Sequence, residues 1–471
     1  MRRAILCFLV VGGVSAYGNR ARADEPIAAT EPHLLDETAE VTTVVDAFDH
    51  DDPFDLHIWA GFSQTWKRAD IHRETELNQP GLSTGGFAAN TENIAKYSQD
   101  ISVLNVGADI GIFRDLALSF RLPIILGDSQ SLADLDGSSK NPQRYADPTG
   151  TQLFSVPFTS PTRSGIDYFA VGLNWAPVNQ QRDYTKPTWL LGVEGRFGIG
   201  DPLHACNATA GGTPQCPDPA GAGPNRTPGV SRAMYSVDAK TIISRRFGYV
   251  EPYTGIEALF EFPRSDSDFG ATNIRGALVS TPPIVGTFTI GLEVIPWERR
   301  EAFQRLVFDL RVQGIYNSPG REYSELFDAL GSTTAPTLRN PNPSGWVAGP
   351  GGSSVADPNS QKVYFTGITD QAGYGAFAAQ ASVTWMAGEY VKFNLGGGVR
   401  VNQSHTITAA DPCNPNITAD PTTSGPCRTT SGQITGVPDP NFRAVLDSPG
   451  RRFFVDNTVI GQLMLTGTVM F

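Results

Sequence analysis

Apolar and polar residues alternate along much of this 471-residue chain. In the final stretch, IGQLMLTGTVMF, one series holds Phe471, Val469, Gly467, Leu465, Leu463, Gly461 and Val459. The intervening series is Met470, Thr468, Thr466, Met464, Gln462, Ile460 and Thr458. A period of two places successive side chains on opposite faces of a β-strand. The pattern recurs at 167–177, 188–200, 249–262, 287–297, 305–316 and 390–403. Further strands are expected near 54–67, 101–113, 115–126, 233–244 and 374–386, and with the one near 458–471 they make twelve, in a range of ten to fourteen.

Short connections alternate with long ones. The short ones lie around 113–115, 245–248, 297–302 and 387–389, with a medium one at 177–186. The long ones are 70–100, 127–164, 201–231, 263–283, 317–372 and 404–457. This asymmetry, with an even strand number, fits an all-β, transmembrane antiparallel barrel with short periplasmic turns and long extracellular loops.

The faces carry opposite chemistry. In 189–199, Trp189, Leu191, Val193, Gly195, Phe197 and Ile199 form one face, and Glu194 and Arg196 belong to the other. In 305–316, Leu306, Phe308, Leu310 and Val312 alternate with Arg305, Asp309 and Arg311. In hydrocarbon every backbone N–H and C=O needs a partner, so spanning strands must close into a barrel. The apolar face then points outward. Trp175, Trp189, Trp297, Trp385, Tyr390 and Tyr249 stand near strand ends, as interfacial girdles require.

The N-terminus changes the picture next. Arg2 and Arg3, an apolar core from Ile5 to Ala16, and Ala21-Arg22-Ala23 read as a secretory signal peptide over 1–23. Its removal takes away four Arg and no acid, so the formal charge falls from -12 to -16. That argues against nucleic acid as a partner. Residues 24–53 are expected to form a periplasmic segment, either a plug or a tether, ahead of a barrel over 54–471. Within it, Leu34, Thr38, Val41, Val45 and Phe48 have helical spacing. Two local cysteine pairs, Cys206 with Cys216 and Cys413 with Cys427, fall in long loops. In an exported chain these read as disulfides, with zinc as the less suitable alternative.

With its signal peptide, its alternating segments and "VIGQLMLTGTVMF" (459–471), the chain resembles the Gram-negative outer-membrane β-barrel proteins. The resemblance implies integral residence in the bacterial outer membrane, contact with its lipid and lipopolysaccharide, and Phe471 as the signal read by the barrel-assembly machinery. No motif fixes a subfamily.

The inward faces then collect Asp109, Glu194, Asp238, Glu251, Glu257, Glu261, Glu293 and Asp309 with Arg121, Arg196, Lys240, Arg305, Arg311, Lys392 and Arg400. Desolvating so many charges is costly, so the lumen is expected to be wet or fully ion-paired. One expected function is a porin-like channel or transporter for small hydrophilic solutes. The alternative is a non-conducting surface protein whose disulfide-tied loops bind a partner. The loop 317–372 could constrict the bore or cover its mouth.

Enzyme chemistry finds little support. Six His are present, and the adjacent Ser404 and His405 would face opposite ways in a strand. Asp128, Asp134 and Asp136 lack calcium-loop spacing and read as turn acids. His57 and His72 read as solvated or girdle residues. The expectation is therefore a monomer with no enzyme activity, cofactor or metal.

Overall fold

The computed structural model describes residues 39–47, 55–78 and 87–343 (apart from 210, 212, 222, 271–273 and 275), then 346–348, 354–356, 362–412 and 439–471. The signal peptide and the Cys413–Cys427 pair lie outside the described residues.

Twelve long strands alternate up and down. They are β1 (Leu56–Asn78), β2 (Phe87–Phe113), β3 (Leu116–Asp134), β4 (Tyr168–Val178), β5 (Thr188–Gly198) and β6 (Met234–Ser244). The second half comprises β7 (Val250–Pro263), β8 (Val285–Arg299), β9 (Gln304–Asn317), β10 (Tyr374–Gly388), β11 (Val391–Asn402) and β12 (Phe453–Met470). Each pairs antiparallel with its sequence neighbour, and β12 pairs back onto β1, so the barrel is closed. The closing register runs from His57 opposite Met470 to Arg73 opposite Phe453. Beyond its end, Phe471 N–H donates to the Leu56 carbonyl at 2.9 Å, and Leu56 N–H returns a 3.0 Å bond. The terminal alternation is thus the last seam of a closed hydrogen-bond ladder, which leaves no open edge between β1 and β12.

Sidedness follows from which residues meet solvent. Ile58, Phe62, Val193, Phe197, Phe308, Leu310, Val312, Leu395, Leu463 and Leu465 are all exposed large apolar residues. Glu251, Glu293 and Arg305, by contrast, are at most 1 % exposed. A water-soluble barrel has the reverse arrangement. At the short-turn end the exposed belt is rimmed by Trp175, Trp189, Phe247, Tyr249, Trp297, Trp385 and Tyr390. At the other end stand Trp66, Phe197, Tyr235, Phe262, Tyr316 and Phe377. Two aromatic rims around an apolar band match a bilayer's two interfaces.

Two sequence boundaries are corrected. The stretch 70–100 is not one long loop, because β1 runs on to Asn78 and β2 begins at Phe87. Likewise β3 continues to Asp134, well into the stretch read as a loop from 127. These extensions are polar on the outside, with Arg68 bonded to Asp100 and Asn457 to Asp70. They carry no lipid-facing alternation and so escape a pattern built on lipid contact.

Above the belt the loops pack into a core of their own. Tyr145, Leu153, Phe154, Leu326, Leu330, Leu338, Phe365 and Leu446 bury against the inner faces of the strand extensions at Ile71, Ile94, Leu132, Phe453 and Val455. Three short helices contribute: α1 (Phe327–Gly331), α2 (Pro336–Arg339) and α3 (Ala444–Asp447). This apolar cap is held by ordinary hydrophobic burial, the force the lipid-facing belt cannot use.

Candidate functional site

The charged interior can be followed from the short-turn end upward. Residues 39–47 run inside the barrel wall there. Gly111 makes room, since a Cβ at that position would sit 1.7 Å from the Asp46 carbonyl oxygen. Backbone bonds pair Ala47 with Arg114 in both directions, at 3.2 and 2.8 Å. Thr42 Oγ1 lies 2.8 Å from Ser244 Oγ, and Arg182 reaches Asp46 at 3.6 Å. The segment is a turn followed by extended chain over 39–47, and the helical spacing read around Val41 and Val45 produces no helix in these residues.

Glu40 is the centre of this level. Its carboxylate accepts from Lys392 Nζ at 2.9 Å and from Arg305 Nη2 at 3.1 Å. Its backbone N–H donates to Glu293 Oε1 at 2.9 Å. Burial raises the cost of its charge, yet Lys392 and then Arg305 outweigh that and hold the carboxyl down at about 2. Glu293 sits in a register row with Glu251 on one side and Asp309 on the other. His57 is buried and lies near this level, within the electrostatic reach of Lys392 and Glu40, which corrects its reading as a girdle residue.

Higher in the lumen, Arg121 meets Glu194 at 2.5 Å, and Glu194 meets Arg196 at 2.6 Å. Arg196 also bridges to Asp238. Tyr168 lies beside both guanidiniums, with ring centroids 5.3 Å from Arg121 and 5.8 Å from Arg196. Lys240 stands opposite Glu257 in register. Asp109 accepts from Trp59 Nε1 at 3.0 Å. Asp309 accepts from Tyr253 at 2.6 Å and pairs with Arg311 at 3.1 Å. Tyr253 can lie flat across the neighbouring strand because position 291 is glycine: a Cβ there would be 2.1 Å from the ring.

The side chains of Arg121, Glu194 and Arg196 keep 29, 24 and 21 % exposure, against 0 % for residue Glu293 and 1 % for residue Arg305 below them. Glu40 and Lys392 at that lower level keep 19 and 14 %, so Glu293 and Arg305 are buried at a level whose other two charges still meet solvent.

At the outer end, Arg232 joins Glu261 at 2.9 Å to Glu322 at 2.5 Å. Lys67 meets Glu325 at 2.7 Å. Arg400 donates to Asn402 Oδ1 at 2.8 Å. Both Glu322 and Glu325 come from the loop after β9, so this loop is pinned to the inner wall. Deeper in the cap, Arg163 clasps both oxygens of Asp328 at 2.9 and 2.7 Å, and Cys206 N–H donates to the same carboxylate at 2.9 Å. Cys206 and Cys216 form a disulfide.

Of the charged residues assigned to the inner face from sequence, Asp238, Glu251, Glu293, Arg305 and Asp309 are buried, and Arg121, Glu194 and Arg196 join Asp238 in one ion-paired chain. Glu40, Lys67, Trp59, Tyr168, Tyr253, Glu322 and Glu325 were missed. Lys67 and Trp59 were legible, since they alternate with Phe62 and Trp66 in β1. Glu40, Glu322 and Glu325 lie in segments without strand period, and nothing local marks them. Ser404 and His405 form no catalytic pair: the histidine stacks 3.7 Å from Tyr374 and its Nδ1 lies 3.0 Å from the Gln403 carbonyl. Asp134 serves as a turn acceptor for Gly137 and Ser139 N–H, and Asp128 accepts from Gln99. Among the described residues no cluster of His, Cys, Asp and Glu has metal-binding geometry.

The closed twelve-strand ladder, apolar exterior and polar interior define an integral β-barrel of the bacterial outer membrane. No family model and no curated relative matches the sequence. Among solved structures, the chain is similar to an outer membrane channel from Pseudomonas putida F1, at 8 % identity and a TM-score of 0.36, over 88 % of this chain and 95 % of that one. It is similar to a Pseudomonas aeruginosa FadL homologue, at 8 % identity and a TM-score of 0.33, over 89 and 90 %. It is also similar to the outer membrane protease OmpT from Escherichia coli, at 7 % identity and a TM-score of 0.27, over 88 and 97 %. At these scores the likenesses say nothing of activity.

Proposed function

We propose that this barrel is a gated channel for small hydrophilic solutes. The observation that carries the reading is the water-accessible chain Arg121–Glu194–Arg196–Asp238 in mid-lumen, lying between two segments that narrow the bore at either end. Paired charges at an aqueous wall coordinate polar solutes and ions and penalise apolar ones. Both narrowing segments are tied to the wall by side-chain ion pairs: Glu40 to Arg305 and Lys392, and Glu322 and Glu325 to Arg232 and Lys67. Such contacts can break and re-form without disturbing the ladder of the barrel.

Planar-bilayer recording of the refolded mature protein tests this reading. Discrete conductance steps whose frequency rises when 39–47 is deleted support it. A folded, heat-modifiable barrel that stays silent with and without that segment overturns it. Silence would favour the second reading, a surface protein whose loops bind a partner, for which the apolar core beneath the loops speaks. A rigid base lets loops present a defined face.

A further inference from the structure

The level held by Glu40 has a chemistry that the plug itself does not complete. Glu40 offers a carboxylate to two cations and, separated from it by Cα, Cβ and Cγ, an N–H to the Glu293 carboxyl. The carboxylate end is fully met, by Lys392 at 2.9 Å and Arg305 at 3.1 Å. The nitrogen end is met poorly. A neutral amide with one hydrogen faces Glu293, whose Oε1 accepts it at 2.9 Å, while Glu293 Oε2 is buried with no hydrogen-bond partner among the described residues. Glu251 and Asp309 flank Glu293 in register, so the nitrogen lies beside a row of acids. Asp309 is engaged by Tyr253 and Arg311.

Resting on the channel reading above, we propose that this level is a binding subsite for small zwitterionic solutes, with Glu40 as its built-in occupant. A solute with the same skeleton, an ω-amino acid, would set its carboxylate between Arg305 and Lys392. Its ammonium would bring three N–H donors and a full positive charge to Glu293, where the amide brings one donor and no charge. A simple carboxylate would leave Glu293 Oε2 without a hydrogen-bond donor, and a simple amine would forgo the contacts with Arg305 and Lys392. Each half-ligand makes only part of these contacts and is disfavoured by the polar group it leaves unmet. The segment 39–47 thus closes the bore by occupying the solute's own place.

The test uses the refolded mature barrel and its Glu40→Gln variant, titrated calorimetrically in detergent with γ-aminobutyrate, butyrate and butylamine, each also measured for current block in bilayers. Freed of the competing carboxylate, Glu40→Gln should bind γ-aminobutyrate about tenfold more tightly than wild type, as removal of an internal competitor predicts. It should also prefer that probe over both half-ligands by about tenfold or more. Adding Lys392→Gln to this variant should abolish the preference, and adding Arg400→Gln should leave it. Should the Lys392 variant not fold, Glu293→Gln takes its place, with loss of the advantage over butyrate as the expected result. Equal binding of the three probes, or binding of none, overturns the subsite. Selective binding without conductance would sink the channel reading while leaving the subsite standing, and conductance without selective binding would do the reverse.

Discussion

Glu40 and Lys392 meet at 2.9 Å although 352 residues separate them in the chain. The contact ties the segment before the barrel to its penultimate strand. Removing one partner of such a partly buried pair costs about 2 kcal/mol, less than for a fully buried one, because the stranded charge still meets some water. Lys392→Gln should therefore lower the local opening free energy of 39–47 by about that amount. Hydrogen exchange of these amides reads it directly, with the barrel ladder as the unchanged reference.

The same pair sets an acid limit. In the folded chain the Glu40 carboxyl is held at about 2, against its ordinary 4.5. The group binds its proton more readily when the segment is free, so its stabilisation is complete above the ordinary value. It is lost as pH falls from 4.5 toward 2. Exchange protection or closed-state lifetime of 39–47 should decline across that window and not above it. Glu40→Gln should flatten the profile.

The outer cap should respond with the opposite sign. Burial, and then Asp370, pushes Asp439 up to about 8 and Asp447 up to about 7, from 3.8. Arg321 bonds Asp370 at 3.2 Å, and the Arg443 side chain, near both Arg321 and the acids, donates to the Val363 carbonyl at 2.8 Å. Here the folded state holds protons that the loosened loops release. Cap stability is complete below about pH 4 and falls as pH rises through 7 and 8. Limited proteolysis of the loops should therefore quicken from pH 5 to pH 9, a trend that Asp447→Asn should weaken.

Asp328 holds the cap from within, taking two bonds from Arg163 and one from the Cys206 amide. Asp328→Asn leaves a guanidinium that is 1 % exposed without its anion. The expected loss is about 3–5 kcal/mol of cap stability, seen as early cleavage in the 201–217 and 318–343 loops. Heat-modifiable migration should persist, since the barrel ladder does not pass through Asp328. Unfolding of the whole barrel by this change would show that cap and barrel are one cooperative unit.

Ion selectivity probes the bore from Glu257 to Arg400 at its outer end. Glu257→Lys should shift the zero-current potential in a salt gradient toward anions, and Arg400→Glu toward cations, each weakening as salt screens the wall. A potential unmoved by either change would place both side chains off the conducting path.

The sequence by itself determined the barrel. Every lipid-crossing strand must expose apolar side chains on one face, and the period of two writes that demand locally, as in Leu306, Phe308, Leu310 and Val312 against Arg305, Asp309 and Arg311. The expectation of inward charges came from the same period, since a charge between apolar neighbours falls on the opposite face. Only the tertiary structure decided what occupies the bore. Glu40, Glu322, Glu325 and Asp328 lie in segments that touch no lipid and follow no period, and their partners lie up to 352 residues away. The strand extensions to Asn78 and Asp134 escaped notice because their outer faces meet water, where a polar residue costs nothing. Alternation records the solvent outside the wall, while ion pairs across the lumen depend on closure, which no local stretch contains.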